Sequence, residues 1–193
     1  MYKFIQLLEK GVIIIIMKIS NLLQEKPSQA PENALKVFNM LEALSVPYEY
    51  VENDTVESME ETAVVSEALG AEVRKSIFLT NSKNTEFYLV ILPAQKRFDS
   101  KKFREALEIS RVSFASSELM QERIHVQPGT ASLFSLIFDT EKVVTLVIDR
   151  AIKKEEYFAC NPTDNKYHIK FKTEDLFEKI LPKLGYKALV KSL

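Results

Sequence analysis

Three groups of residues in this 193-residue chain have the types and spacing to do chemistry. The first is Lys75, at the entrance to the apolar run Ile77–Leu79. Side chains alternate along a strand, so Lys75 shares a face with Ile77 and Leu79. A lysine there either snorkels to water or stands as a fixed positive charge at the mouth of a pocket. The second group is the small-residue turn Pro128-Gly129-Thr130-Ala131-Ser132, whose glycine permits close backbone approach or a positive φ. The third is Cys160 with His168, in principle a nucleophile and a base. Their separation across a turn is a loose spacing for that pairing, and a lone cysteine in a strand is ordinarily a core residue.

Other chemistries are excluded by what the chain lacks. Its four glycines, at 11, 70, 129 and 185, cannot assemble a GxxxxGK[ST] phosphate loop or GxGxxG. There is no GxSxG elbow and no HExxH. The two histidines, His125 and His168, lie far apart, so no zinc site is expected. Paired carboxylates for glycosidase work cannot be picked out among 27 acids without geometry.

A net charge of −1 with 46% hydrophobic residues describes an ordinary globular protein rather than a strongly basic nucleic-acid binder. The charge is nonetheless uneven. Residues 49–72 carry eight acids and no base, whereas residues 93–111 carry six bases against three acids. A bound polyanion would lie near the second segment, at Lys96, Arg97, Lys101, Lys102 and Arg104, and avoid the first. Taken singly, either segment reads equally as a solvated face. One cysteine rules out an internal disulfide framework and suits a reducing cytoplasm.

The elements that must position these groups follow in order. Val12–Met17 is too short to span a bilayer, and no secretory cleavage site follows it. Met17 reads as a natural start, with residues 1–16 a non-native extension or loose arm, and Pro27–Pro31 as a polar linker. Residues 1–32 are therefore arm and linker, and 33–193 one domain. Asn33 is expected to cap a helix carrying Leu35, Phe38, Leu41 and Leu44. Tyr48–Val51 reads as a strand, and Ser58 to Glu61 as a capping box for a helix stopping at Gly70. Ile77–Leu79 and Phe87–Leu92 flank the turn Asn81-Ser82-Lys83-Asn84 as a hairpin covered on both faces. Asp99 or Ser100 caps a short basic helix, and Arg111–Phe114 is a short strand before a turn of helix capped at Ser116 or Ser117. Val143–Ile148, Tyr157–Cys160 and Lys166–Phe171 are further strands, and Thr173 is expected to cap a last helix. The irregular alternation predicts an α/β (mixed α+β) domain, with a mixed central sheet or half-barrel flanked by helices.

The ordered motifs LG, RKSIFL, FYLVILP, SRVSFAS, PGTASLF, VTLVID and YFACNPTDN resemble the YbaK/ProX family, free-standing relatives of the editing domain of bacterial prolyl-tRNA synthetase. The likeness runs from about Ala34 to Leu189 and is nearest to the ProX/PrdX branch, associated with alanyl-tRNA(Pro) deacylation. It implies trans-editing, the hydrolysis of the ester that joins a wrong amino acid to tRNA(Pro). Its partners would be the tRNA acceptor end and, as a candidate, prolyl-tRNA synthetase; no metal or organic cofactor is implied. A pocket for proline cannot by binding alone reject a similar or smaller side chain strongly enough.

In that resemblance Lys75 matches the key lysine, which would hold the terminal phosphate or ester, and Gly129 opens the loop that positions water and steadies the oxyanion. Ser76, Thr130, Ala131, Ser132, Asn161 and Asn165 are the matching substrate-binding positions. The chain departs from the pattern at three points. Ser76 stands for the usual asparagine, Leu133 for proline, and Asn161 for a histidine, and an asparagine cannot exchange a proton near neutral pH. The alternative implied is a catalytically impaired member that binds tRNA or a synthetase. A blander alternative is a relative acting on another acyl ester.

Overall fold

In this computed structural model the chain is described at residues 2–4, 17–56 and 58–193. Its strands are β1 (Tyr2–Phe4), β2 (Met17–Ile19), β3 (Tyr48–Glu52), β4 (Lys75–Asn81), β5 (Phe87–Leu92), β6 (Val112–Phe114), β7 (Val144–Asp149), β8 (Tyr157–Cys160), β9 (Tyr167–Lys172) and β10 (Leu189–Lys191). Its helices are α1 (Glu32–Ala43), α2 (Met59–Leu69), α3 (Ser100–Leu107), α4 (Ser117–Ile124), α5 (Thr173–Asp175) and α6 (Leu181–Leu184), the last two joined by a π-helical turn.

Phe87–Leu92 is apolar at every position, and every one of these residues is buried. Such a run needs cover on both faces. β5 obtains it at the centre of a five-stranded sheet ordered β10-β7-β5-β4-β6. It pairs antiparallel with β4 and parallel with β7. Phe87, Leu89 and Ile91 point into the main core with Phe78, Leu146 and Phe38 of α1. Tyr88, Val90 and Leu92 point the other way and pack with Leu79 and Phe103 of α3. Burying a side chain such as Phe103 is worth about 1.5–3 kcal/mol, which anchors α3 despite its basic surface.

A second, antiparallel sheet has the order β3-β9-β8. Tyr50, Phe158, Cys160, Ile169 and Phe171 face the main core, while Val51 and Ala159 pack with Val64, Val65 and Leu69 of α2. The capping box forms as expected: Ser58 Oγ accepts from Glu61 N at 3.1 Å, and Ser58 N donates to Glu61 Oε2 at 3.0 Å. Gly70 then takes the left-handed C-cap, φ 65°.

The mixed α/β class therefore holds, with the strands divided between two main sheets and a β1–β2 ribbon. Two caps differ from expectation. α1 starts at Glu32 with Pro31 at the cap position, so Asn33 lies inside the first turn. Pro31 presets the entry conformation and has no N–H to satisfy, so the cap forms without a side-chain acceptor. The last helix starts at Thr173 itself, with Lys172 at the cap, and the Thr173 hydroxyl is buried without a partner. The proposed start at Met17 concerns residues that lie mostly outside the described ones. From Met17 onward the segment assigned to the arm and linker packs against β3, through bridges Ile19–Asn53 and Leu23–Tyr50.

Candidate functional site

The two main sheets join where β4 begins. Val73 bridges Ala159 of β8, and the Arg74 N–H donates to the Ala159 carbonyl at 2.8 Å. The Arg74 guanidinium, itself buried, bonds to Glu72, Glu155 and the Tyr157 carbonyl, which pins the junction. Just beyond it, β6 pairs with Leu79–Asn81 and goes no further, so the edge of β4 at Lys75–Ile77 faces open space. That space is a cavity of about 750 Å³. Val73 to Phe78 form one wall, with Phe114, Ala115 and Met120 beside it. Thr55, Val56, Met59 and Thr62 come from the entry to α2 and its first turns. Pro128, Gly129, Ala131, Asn161, Asn165 and His168 close the rest. Among the described residues no carboxylate lines the cavity, whereas Arg74 and Lys75 do.

Lys75 is half-buried, and its Nζ donates to the Lys96 carbonyl at 2.9 Å. The Lys96 ammonium in turn lies 2.7 Å from Asp149 Oδ2. Burial alone would push the Asp149 carboxyl up, but its bonds from Lys96, Ala151 N and Leu193 N hold it below the ordinary aspartate range. A buried carboxylate thus braces the turn that receives the Lys75 ammonium. Ser76, alternating with Lys75, lies on the Phe78 face of β4 and also lines the cavity.

The same cavity is lined by the turn at Gly129, with φ 88°. A Cβ built there would lie 3.7 Å from Asn165 Nδ2, so glycine turn and Asn165 are neighbours. Asn165 Nδ2 donates to the Val56 carbonyl at 3.1 Å, and Asn53 Nδ2 donates to the Asn165 carbonyl at 2.7 Å. Asn53 Oδ1 meets His168 Nδ1 at 2.9 Å. Asn161 is buried, and its Oδ1 accepts from Thr163 N at 2.9 Å, which leaves its Nδ2 as the group available to the cavity.

Lys75, Ser76, Gly129, Ala131, Asn161 and Asn165 thus line one space, although the sequence spreads them over 90 positions. Thr130 and Ser132 are not among its lining. The Thr130 hydroxyl donates to the Gln127 carbonyl at 2.8 Å, and Ser132 Oγ caps the short helix that follows by accepting from Phe134 N at 3.2 Å. These two residues shape the turn from behind. In the basic segment Lys96 is committed to Asp149, while Arg97, Lys101 and Lys102 are exposed and Arg104 Nε donates to the Ser100 carbonyl.

The pairing of Cys160 with His168 is ruled out by alternation. Cys160 pairs with Ile169 in register and belongs to the main core, which places His168 on the opposite face of the sheet. Burial also pushes the Cys160 thiol far up, so no thiolate is at hand. Sequence reading missed His168 as a cavity residue and Asn53 as the partner behind it. The signal was present: Tyr167, Ile169 and Phe171 share the apolar face of β9, so His168 had to face the other way. It also missed Phe114, 65% exposed at the cavity rim with its ring edge-on to Phe98.

A second groove of about 720 Å³ lies near Tyr48 and Tyr157. Two ion pairs line it, Lys26 with Glu42 and Lys170 with Glu49, each at 2.9 Å. None of the candidate site residues lines it. Among the described residues no group of three or more His, Cys, Asp or Glu could hold a metal, and no helix is long and apolar enough to cross a membrane.

The arrangement is an α/β domain with a polar cavity at the junction of two sheets, lined among the described residues by no carboxylate. Residues 53–179 match the sequence model of the aminoacyl-tRNA editing domain, and the chain belongs to that family. It is similar to the prolyl-tRNA editing protein ProX of Acetoanaerobium sticklandii, 28% identical over 155 residues, or 79% of this chain and 94% of the relative. It is similar also to prolyl-tRNA synthetase associated domain-containing protein 1 of Danio rerio, 26% identical over 127 residues, or 65% and 68% of the two chains. Its fold matches a crystal structure described as a candidate trans-editing enzyme for prolyl tRNA synthetase, with TM-score 0.61 and 17% identity, covering 86% of this chain and 99% of that one. The resemblance drawn from the ordered motifs is thereby confirmed.

Proposed function

We propose that this chain is a trans-editing deacylase that hydrolyses mischarged tRNA(Pro), with alanyl-tRNA(Pro) the leading substrate. The observation that carries the reading is that Lys75 and the Gly129 turn line the same cavity, which among the described residues has no carboxylate in its lining. Similarity to a protein named for prolyl-tRNA editing supports the choice of tRNA. An acceptor end carries phosphate and an ester carbonyl, both of which a lysine and backbone N–H groups attract. Among the described residues the wall offers no thiolate and no carboxylate nucleophile, and water is the attacking group in this reading. Lys75 then steadies charge on the phosphate or ester, the Gly129 turn holds the water and the developing oxyanion, and Asn161 Nδ2 is a further donor. The exposed face of Phe114 offers a stacking surface for the terminal adenine. Prolyl-tRNA synthetase is the candidate protein partner.

The test is a panel of alanyl-, prolyl- and other aminoacyl-tRNA(Pro) species incubated with the full chain. Faster release of alanine than of proline supports the reading. Release of neither, or of both alike, removes the editing assignment.

A second reading has one observation in its favour. Asn161 replaces the family's histidine and spends its oxygen on Thr163 N. Such a chain would bind the acceptor end without cleaving it. Activity gained only in the Ser76→Asn, Asn161→His double variant would select that reading.

A further inference from the structure

His168 is buried in β9, yet its ring lines the cavity. The protons on this ring can be assigned from its partners. Asn53 Nδ2 donates to two carbonyls, Asp54 O and Asn165 O, each at 2.7 Å. That fixes the orientation of the amide and makes Oδ1 an acceptor. The ring nitrogen 2.9 Å from it, Nδ1, must therefore carry the proton. The remaining nitrogen, Nε2, presents a lone pair, and no described residue bonds to it. Burial also lowers the His168 pKa to about 4, so the ring stays neutral and keeps that lone pair near neutral pH.

An aminoacyl ester carries an α-ammonium one carbon from the scissile carbonyl, and that cation needs an acceptor. Carboxylates, the usual choice, do not line the cavity among the described residues, and Asn161 Oδ1 is taken by Thr163 N. We propose that His168 Nε2 accepts a hydrogen bond from the substrate's α-ammonium and makes the site selective for acyl groups with a free α-amine. This deepens the deacylase reading and rests on it. Asn53 is then a positioning residue: it holds the tautomer and ties the ring to Asn165 beside the Gly129 turn. At neutral pH the group is too weak a base to activate water, so its part is recognition.

The experiment compares alanyl-tRNA(Pro) with lactyl-tRNA(Pro), in which a hydroxyl replaces the α-amine. Each enzymatic rate is divided by the uncatalysed rate of its own ester. The wild-type ratio of alanyl to lactyl is expected to be about 10- to 100-fold, the strength of a hydrogen bond to a charged group. His168→Thr, β-branched and suited to a strand but too short to reach, should bring the ratio near one. His168→Gln can donate to Asn53 and still offer an oxygen, and should keep most of the preference. The ratio is internal to each protein, so partial unfolding, which scales both rates, does not alter it. A wild-type ratio near one, or a ratio unchanged in His168→Thr, overturns the role of His168 while leaving the deacylase in place. No hydrolysis of either ester by wild type overturns both.

Discussion

The Lys75 ammonium donates to the Lys96 carbonyl at 2.9 Å, and the Lys96 ammonium is held 2.7 Å from the buried carboxylate of Asp149. Lys75 is thus aimed by a backbone carbonyl, and that carbonyl is fixed by the charge of its own side chain. Lys96→Met leaves the Asp149 carboxylate buried without its cation and frees the turn. The expected stability cost is about 2 kcal/mol, less than for a fully buried pair because Lys96 is about a third exposed. Thermal unfolding should fall by roughly 4–8 °C, and turnover should fall several-fold with little change in KM. An unchanged melting temperature would show that the pair does not brace the turn.

Phe114 tests the contact with the nucleic acid end. It is 65% exposed, so Phe114→Ala should leave the fold unchanged. Loss of a stacked base costs about 1–3 kcal/mol, which predicts a KM for aminoacyl-tRNA raised by about 5- to 150-fold at similar kcat. Phe114→Trp should restore KM. Equal KM values for wild type and alanine variant would move the adenine elsewhere.

Gly129 tests the turn. An added Cβ would meet Asn165 Nδ2 at 3.7 Å, an ordinary contact, so the strain of Gly129→Ala comes from φ 88° and not from crowding. The backbone penalty is about 1–2 kcal/mol, and relaxation of the turn should lower kcat at least about tenfold. A variant with wild-type kcat would place the oxyanion away from this turn.

Acid should unfold the protein in a window set by His168. Its pKa is lowered by burial to about 4, while in the unfolded chain it is near the ordinary 6.5. Below 6.5 the unfolded state gains a proton that the native state refuses, so stability is full above this pH and drains away as pH falls toward 4. The loss is on the order of 3 kcal/mol. Asp149, lowered from 3.8, loses its contribution only at more acidic pH, so the two windows separate. Melting temperature followed from pH 7 to pH 4 should fall in wild type and stay nearly flat in His168→Gln. Parallel curves would contradict the assignment.

Much of the fold is legible because its signals are local. The hairpin of Ile77–Leu79 with Phe87–Leu92, the Ser58–Glu61 capping box and the Asp99 cap each lie within a short window of sequence. The division into two sheets is not local. β3 finds β9 across more than 100 residues, and β10 joins β7 from the far end of the chain as a short strand with no strong pattern. Asn33 and Thr173 were misplaced by one or two positions because Pro31 and Lys172 can begin a helix without a side-chain cap. At the site, Lys75 and Gly129 stand out by residue type, but their shared role came from the resemblance, since nothing in their spacing brings them together. His168 escaped notice because the partner that fixes its tautomer, Asn53, stands 115 positions away. Thr130 and Ser132 belong to the right turn but point their hydroxyls into it.

The central claim is that one ammonium at the mouth of the cavity supplies the charge for ester hydrolysis. The most direct measurement is the single-turnover rate of alanine release from alanyl-tRNA(Pro) at saturating enzyme, wild type against Lys75→Ala. The account predicts a fall of about 100-fold or more with the fold intact by circular dichroism. Equal rates from the two proteins would contradict it.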